Sequence, residues 1–364
     1  MLNSSAPGHS DSTNGELGAR THCSALIVAQ TMAHCRSSTP RHRSLAVTFA
    51  HVSSHQSEAA PAARSAACAK ARIVALMRRA STEIAVGDGS LLPALARQLP
   101  PGSCVHVAHT PKATLDQVVQ LSLQVQQCGL RASPHIVARR IASAQVLRAA
   151  LGELKRGGVE QILLVAGDRQ QPLGEFSSTL QILDSGATVD AGIGSIGVAG
   201  HPEGHQAIDA ADLWQALAHK QAFGERTGTA VHIVSQFGFN PGAVHTWERE
   251  LVSHGIRLPV RVGIAGPTAL VKLLQFALRC GVGTSLRTAA HTLGSVGQVG
   301  HLGTTPDQHL IALARALDAG NSRQLVAPHF FAFGGVLKTA QWMRALVDGH
   351  FELSADDSKL LPLG

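Results

Sequence analysis

The chain has 364 residues, 45% of them hydrophobic and 15% charged, so it can bury a large core. This composition excludes a disordered protein, and no apolar run reaches the roughly 18 residues of a membrane-spanning helix. The formal charge of +7 comes from scattered Lys and Arg rather than a basic run, so we expect neither a nucleic-acid nor a membrane partner. An acidic small molecule fits this charge equally well.

The cysteines carry no pattern of a zinc site or a disulfide framework. They are Cys23, Cys35, Cys68, Cys104, Cys128 and Cys280. None forms a CxxC pair, and the spacing is irregular. Because unpaired thiols are typical of a reducing compartment, we predict a cytoplasmic protein without a bound metal. The sequence leaves the oligomeric state open, a homo-oligomer included.

Residues 1–75 differ from the rest of the chain. They are rich in Ser, Ala, His and Arg, poor in acidic residues, and without a sustained helical or strand period. We predict an unstructured extension over 1–75 and a folded domain over 76–364. An organelle transit peptide and an over-extended start both remain open, the latter because Met32 and Met77 are present.

From Ser81 onward, short apolar runs alternate with helical periods. Such alternation predicts a parallel sheet, and eight strands favour a closed (β/α)8 TIM barrel. The predicted strands are Ser81–Val86, Cys104–His109, Pro134–Ala138, Gln161–Gly167, Ile193–Ala199, His232–Phe239, Val260–Ala265 and His329–Phe333.

Helical periods separate these strands, and several end at a glycine. The predicted helices are Leu91–Leu99, Leu115–Cys128, Ala144–Lys155, Ala210–Phe223, Ala243–His254 and Ala269–Cys280, with two more near Ser285–Leu293 and Pro306–Ala319 before the last strand. No strand leads into GxGxxG or GxxxxGK[ST], so any dinucleotide must bind on barrel loops.

Polar residues at the carboxyl ends of barrel strands are the candidates for chemistry. Glu83, inside the first strand, would be desolvated and its pKa raised into the range of a general acid; a core Glu paired with Lys or Arg is the alternative. Asp168 ends the fourth strand and is either an acceptor for a heterocycle's N–H groups or a loop cap. Gln236 needs a partner, which is either a ligand's ring edge or a neighbouring polar group.

The fifth strand leads into a polar loop of sequence Gly-His-Pro-Glu-Gly-His over residues 200–205. His201, Glu203 and His205 resemble a metal-ligand set, but Pro202 and Gly204 exclude the helix that H-E-x-x-H chemistry needs. We interpret His205 as a donor to a phosphate or ribityl group, with a solvent-exposed histidine as the alternative.

Five segments in this order resemble the catalytic domain of methylenetetrahydrofolate reductases over about Ser81 to Ala340. They are Ser81-Thr82-Glu83-Ile84, Ser133-Pro134-His135, Gly167-Asp168, His201-Pro202-Glu203-Gly204-His205 and Ser235-Gln236-Phe237-Gly238-Phe239. The resemblance implies reduction of 5,10-methylenetetrahydrofolate to 5-methyltetrahydrofolate by NAD(P)H through bound FAD.

The resemblance also implies roles for individual residues. Glu83 matches the general acid that assists opening of the folate ring, Asp168 the carboxylate that holds the pterin and tunes the flavin, and Gln236 a folate contact. His135, His205 and Lys220 match contacts to the flavin and its phosphates, and Gly167 belongs to the same flavin-side segment as Asp168.

Several flavin-side positions depart from the family pattern. Ala108-His109 stands where the family usually has Thr-Tyr, Ala166 replaces an Arg, and His201 replaces a Tyr. Leu270 stands where the family has a Phe that stacks on nicotinamide or folate. Weak or altered FAD binding, or direct hydride transfer from the nicotinamide, is therefore an alternative to the usual route.

Two further functions stay open on the sequence. A folate-binding barrel without reductase activity, serving a tetrahydrofolate-dependent one-carbon or demethylation pathway, would bind folate but oxidise no NAD(P)H. A metal-dependent hydrolase would use His201, Glu203 and His205 as zinc ligands. The choice between NADH and NADPH is also open, because no ribose-reading residue can be placed on a barrel loop.

Overall fold

The computed structural model describes residues 59–238, 240–280, 303–304, 306–318 and 322–363. Within these ranges, side chains are described from residue 67 onward, except at 270, 277–280, 303–304, 318 and 362. The helix predicted near Ser285–Leu293 and residues 1–58 of the predicted extension lie outside the described residues. No described helix is long and apolar enough to cross a membrane.

Eight parallel strands close into a barrel, which confirms the predicted fold. The barrel strands are β1 (Ser81–Ala85), β2 (Cys104–Ala108), β3 (Arg131–Val137), β4 (Gln161–Val165), β5 (Ser195–Gly200), β6 (Ala230–Ser235), β7 (Val260–Ala265) and β10 (Leu325–Phe331). Their order around the barrel is β1-β10-β7-β6-β5-β4-β3-β2. Two small sheets lie outside the barrel: β8 (Thr268–Ala269) with β9 (Gly303–Thr304), and β11 (Phe351–Leu353) with β12 (Leu360–Pro362).

Helices connect successive barrel strands, as the alternating pattern predicts, and one helix precedes the first strand and one follows the last among the described residues. They are α1 (Ala59–Met77), α2 (Leu92–Gln98), α3 (Leu115–Gln127), α4 (Ala144–Arg156), α5 (Thr179–Asp184), α6 (Ala187–Asp190), α7 (Ala210–Thr227), α8 (Pro241–Ser253), α9 (Leu270–Cys280), α10 (Asp307–Asp318) and α11 (Val336–Val347). Side-chain caps begin several of them: Thr114 and Gln117 form a capping box at α3, and Ser143 caps α4.

Residues 59–75 correct one expectation, because the sequence predicted no structure there and they form most of α1. Ala-rich sequence favours a helix without needing an amphipathic pattern, which explains why no period was visible. The last turns of α1 bury Ile73, Leu76 and Met77 in the same core as the barrel. The predicted boundary at residue 75 therefore falls inside a helix that packs on the folded domain.

Three strand boundaries differ from their predicted positions by three residues or more. β3 begins at Arg131 and β10 at Leu325, both earlier than predicted, and β6 ends at Ser235 rather than at 239. Gln236 still donates its backbone N–H to the Gly200 carbonyl at 2.8 Å, but the chain then leaves the ladder. Gln236 is therefore the first residue after β6, at the carboxyl end of the barrel.

The barrel wall has an apolar outer face and a polar inner face. Val105, Val107 and Ile136 alternate with inward residues and are fully buried in the core formed with the helices. Glu83 pairs with His106 across the β1–β2 ladder, and paired residues of parallel strands face the same side. Many TIM barrels fill this interior with branched apolar side chains, so the polar lining is a specific feature of this protein.

Histidines occupy much of that inner face. The ring of His106 lies 5.6 Å from that of His135 and 4.5 Å from that of His329, measured between centroids. The Ser81 hydroxyl and His329 Nδ1 share a hydrogen bond of 2.9 Å. Burial holds the pKa of His106 and of His329 well below the ordinary histidine value, so both rings are neutral.

Candidate functional site

Glu83 lies on β1 just below the carboxyl-end opening of the barrel, which we call the mouth. The side chain is half-buried in the wall, and its surroundings raise the pKa of the carboxyl to about 7 because burial disfavours the charged form. The backbone N–H of Ala332, which follows β10, donates a hydrogen bond to it and lowers the pKa slightly. The partner is thus a backbone amide, where the alternative reading of Glu83 expected a Lys or Arg.

Asp168 follows β4 at the same mouth and forms an ion pair with Arg140. Arg140 Nη2 donates to Asp168 Oδ1 at 2.8 Å. This hydrogen bond lowers the pKa of Asp168 below its ordinary value, so the carboxyl is ionised at neutral pH. The Asp168 side chain is 72% exposed while that of Arg140 is 11% exposed, so the carboxylate faces the solvent and the cation lies beneath it.

The segment after β4 is attached to the end of β3 through Arg139. Arg139 Nε donates to the Ser177 carbonyl at 2.8 Å, and its Nη1 donates to the Arg169 carbonyl at 3.0 Å. The backbone N–H of Arg139 also bonds to the carbonyl of Ala166. Gly167 has φ +94° and an added Cβ would overlap Val137 Cγ1, so glycine is required immediately before Asp168.

Several buried nitrogen atoms on the β2–β3 side of the barrel have no hydrogen-bond partner among the described residues. At the mouth they are Nδ1 of His109, Nε2 of His135 and Nε of Arg140, and both ring nitrogens of His106 lie deeper on β2. The groups are neighbours, because Arg140 adds to burial in lowering the pKa of His109, and His109 does the same for His135, whose pKa is about 4. Buried polar atoms normally have partners, so this part of the wall suits a ligand that carries hydrogen-bonding atoms.

A second basic group lies after β5. His201 and His205 contact edge to face with their ring centroids 5.1 Å apart, and Lys220 of α7 lies close to His201. Burial lowers the pKa of Lys220 to about 8 and that of His201 to about 4. His205 itself is exposed, and its Nδ1 accepts from the Ala207 N–H at 3.1 Å.

The zinc alternative has little support from this geometry. His205 Nδ1 is engaged by the backbone, and the Glu203 carboxylate lies against Gly238 after β6. Among the residues that the structure describes, no three His, Cys, Asp or Glu side chains come together as a metal site.

The sequence analysis did not identify an aromatic cluster at the mouth, where Phe331 lies edge to face with His329 at 4.9 Å between ring centroids. Phe237, Phe276, Phe331 and Phe333 pack with Leu273, and Phe276 stacks on Phe333 with 4.2 Å between ring centroids. Phe331 and Phe333 flank Ala332, whose N–H binds Glu83. The Phe-Ala-Phe alternation at the end of the last strand could have predicted this cluster, because alternate residues of a strand face the same side.

Three other predicted site residues, Ala108, Leu270 and Gln236, have few described contacts at the mouth. Ala108 is the last residue of β2 and pairs with Ala85, which places a small side chain beside Glu83's strand. Leu270 begins α9, and its side chain lies outside the described residues. Gln236 is half-buried between β6 and the aromatic cluster residue Phe237.

One cavity in the described part of the chain has no relation to these residues. It has a volume of about 260 Å³ and is lined by Gln221, Gly224, Glu225, Thr229, Val231, Arg257 and Leu258. These residues lie around the amino ends of β6 and β7, whereas the candidate residues lie at the carboxyl ends. The mouth therefore remains the candidate site.

A closed barrel of eight parallel strands with helices between them defines the class: this protein is a (β/α)8 TIM barrel with polar groups at the carboxyl ends of its strands. The family model of methylenetetrahydrofolate reductase matches residues 99–285, just over half of the chain. The chain therefore belongs to the methylenetetrahydrofolate reductase family, which confirms the resemblance found in the sequence.

The solved structures that match this chain include the following two proteins. Dihydropteroate synthase from Thermus thermophilus is 12% identical with a TM-score of 0.39, over 73% of this chain and 91% of that chain. An uncharacterized Clostridium thermocellum protein that binds two copies of 5-methyl-5,6,7,8-tetrahydrofolic acid is 8% identical with a TM-score of 0.49, over 73% of this chain and 93% of that chain. At these values neither likeness carries information about function.

Proposed function

We propose that this protein is a folate-dependent oxidoreductase that reduces 5,10-methylenetetrahydrofolate to 5-methyltetrahydrofolate with NAD(P)H. The observation that carries the proposal is the Glu83 carboxyl, whose pKa of about 7 keeps an acidic proton available at neutral pH. It lies at the mouth of a barrel that belongs to the methylenetetrahydrofolate reductase family.

The two carboxyl groups at the mouth have different protonation states and therefore different roles. Glu83, partly protonated near pH 7, donates a proton to a folate nitrogen and assists opening of the five-membered ring to the iminium. Asp168, ionised, accepts hydrogen bonds from the N–H groups of the pterin. Gln236 adds an amide that can both donate and accept. The substrate is then oriented so that a hydride reaches its exocyclic methylene carbon.

FAD, the cofactor implied by the family, fits the residues on the β2–β5 side. The unpartnered nitrogens of His109, His135 and Arg140 suit the polar edge of its ring system, and Lys220 with His205 suits its phosphates. When bound there, FAD would carry electrons from NAD(P)H to the folate. Ala108, Ala166, Gly167 and His201 complete the proposed cofactor contacts, with Leu270 as a proposed substrate contact.

Replacement of Glu83 tests the proposal directly. We expect Glu83→Gln to abolish folate reduction while leaving the dissociation constant for folate within about twofold, because Gln keeps the shape but has no acidic proton. Glu160→Gln is the matched control. Glu160 pairs with Lys155 on the surface, so this substitution should leave turnover unchanged. Near-normal reduction by Glu83→Gln would remove Glu83 from the mechanism.

A further inference from the structure

Arg140 joins the ends of three neighbouring strands. It follows β3, and its side chain is 11% exposed. Nη2 donates to Asp168 Oδ1 after β4 at 2.8 Å, and Nη1 donates to the backbone carbonyl of His109 after β2 at 3.3 Å. The planar guanidinium of Arg140 is therefore hydrogen-bonded to the segment after β2 and to the segment after β4 at the same time.

The arrangement differs from an ordinary surface ion pair, in which both side chains move freely and gain little by pairing. Here the cation is buried and held by a backbone carbonyl, while only the carboxylate is exposed. A buried guanidinium needs an anionic partner to offset its lost hydration, so Asp168 is held to it. With Oδ1 engaged by Arg140, the exposed carboxylate still has acceptor positions, those of Oδ2 among them, for a ligand at the mouth.

We propose that Arg140 is a positioning residue that fixes Asp168 in one orientation, so that its outer oxygen accepts hydrogen bonds from a ligand edge carrying N–H donors. The choice of a reduced folate as that ligand rests on the proposed function. The link between Arg140 and Asp168 does not depend on the ligand, so the two can be tested separately.

A double-mutant cycle with a reduced folate tests the positioning role. The probe is 5-methyltetrahydrofolate, with dissociation constants measured by calorimetry for wild type, Arg140→Gln, Asp168→Asn and the double variant. We expect Arg140→Gln to raise the dissociation constant about tenfold or more over that of wild type, as for a lost charged hydrogen bond. In the Asp168→Asn background, the same substitution should raise the dissociation constant by less than about twofold, because its effect acts through Asp168. Arg140→Lys keeps the positive charge but lacks the planar set of N–H donors, so its dissociation constant should lie between those of wild type and Arg140→Gln.

Arg148→Gln is the matched control, because it removes another Arg–Asp pair, to Asp190 at 3.5 Å, on α4. It should leave binding unchanged. Equal weakening by Arg140→Gln in both backgrounds, or no weakening in either, would overturn the proposal, since Arg140 would then not act through Asp168.

A second measurement needs no ligand. In protein labelled with carbon-13 at Asp carboxyl groups, the Asp168 signal, identified by its absence in Asp168→Asn, should begin to titrate at a higher pH in Arg140→Gln than in wild type. An unchanged onset overturns the positioning role even if the protein binds no folate. Absence of folate binding by wild type together with a shifted onset contradicts the proposed function alone. If Arg140→Gln does not fold, Arg140→Met, which also removes the charge, serves for the titration, and Arg140→Lys serves for the binding cycle.

Discussion

At the scale of single residues, Glu83 and Asp168 have opposite environments at one barrel mouth. Burial raises the pKa of Glu83 to about 7, whereas the hydrogen bond from Arg140 lowers that of Asp168. Two carboxyl groups whose environments separate their pKa values can serve as an acid and as an ionised acceptor at the same pH. The sequence indicated both residues, but it did not indicate Arg140.

The pKa of Glu83 predicts the pH dependence of folate reduction. In the proposed mechanism the protonated carboxyl is the active form, so the rate of the chemical step should fall by about tenfold per pH unit above the Glu83 pKa of about 7. Single-turnover reduction measured between pH 6 and 9 checks this. A chemical step that is constant or rises over this range would contradict the acid role.

At the scale of elements, the strand–helix alternation was enough to predict the barrel, because each buried strand ends in a polar or glycine residue. The Arg140–Asp168 pair and the aromatic cluster depend on contacts between segments that are distant in the sequence; Arg140 and Asp168 are 28 residues apart. Local sequence patterns therefore do not predict either feature. α1 was missed for another reason: its Ala-rich sequence shows no clear amphipathic period, although Ile73, Leu76 and Met77 of its last turns are buried in the core.

The turn after β4 gives an element-scale prediction. Gly167→Ala should destabilise the protein and weaken folate binding, because the left-handed backbone and the overlap with Val137 would force the Asp168 segment to move. Gly129→Ala is the matched control: Gly129 has φ +75° and open space around its Cβ position. The melting temperature should fall more in Gly167→Ala than in Gly129→Ala, and only Gly167→Ala should weaken folate binding. Equal losses in both variants would indicate that the contact with Val137 is unimportant.

At the scale of the whole molecule, the barrel and its surroundings contain several buried, neutral histidines. Burial lowers the pKa of His135, His201, His232 and His309 to about 4 and holds that of His106 and His329 well below the ordinary value. In the unfolded chain these groups bind protons below about pH 6.5, so the unfolded state takes up more protons than the folded state. Stability should therefore be lost as the pH falls from about 6.5 toward 4.

The magnitude follows from linkage. Each such histidine lowers the free energy of unfolding by up to about 1.4 kcal/mol per pH unit in this window. Glu83 acts in the opposite sense, since its raised pKa makes stability fall as pH rises from 4.5 to about 7, but one group opposes several. Urea unfolding at pH 7.5 and pH 5 should give a clearly lower midpoint at pH 5; equal midpoints would show that the histidines are not buried and neutral.

The central claim is that the barrel mouth reduces a folate, and its most direct test is NAD(P)H oxidation by the purified protein given 5,10-methylenetetrahydrofolate, with and without added FAD. We predict oxidation that depends on the folate, that is absent in Glu83→Gln, and that produces 5-methyltetrahydrofolate. A requirement for added FAD would support the proposed flavin contacts, and equal rates without it would support direct hydride transfer. No oxidation under either condition would contradict the reductase and favour a folate-binding barrel without this activity.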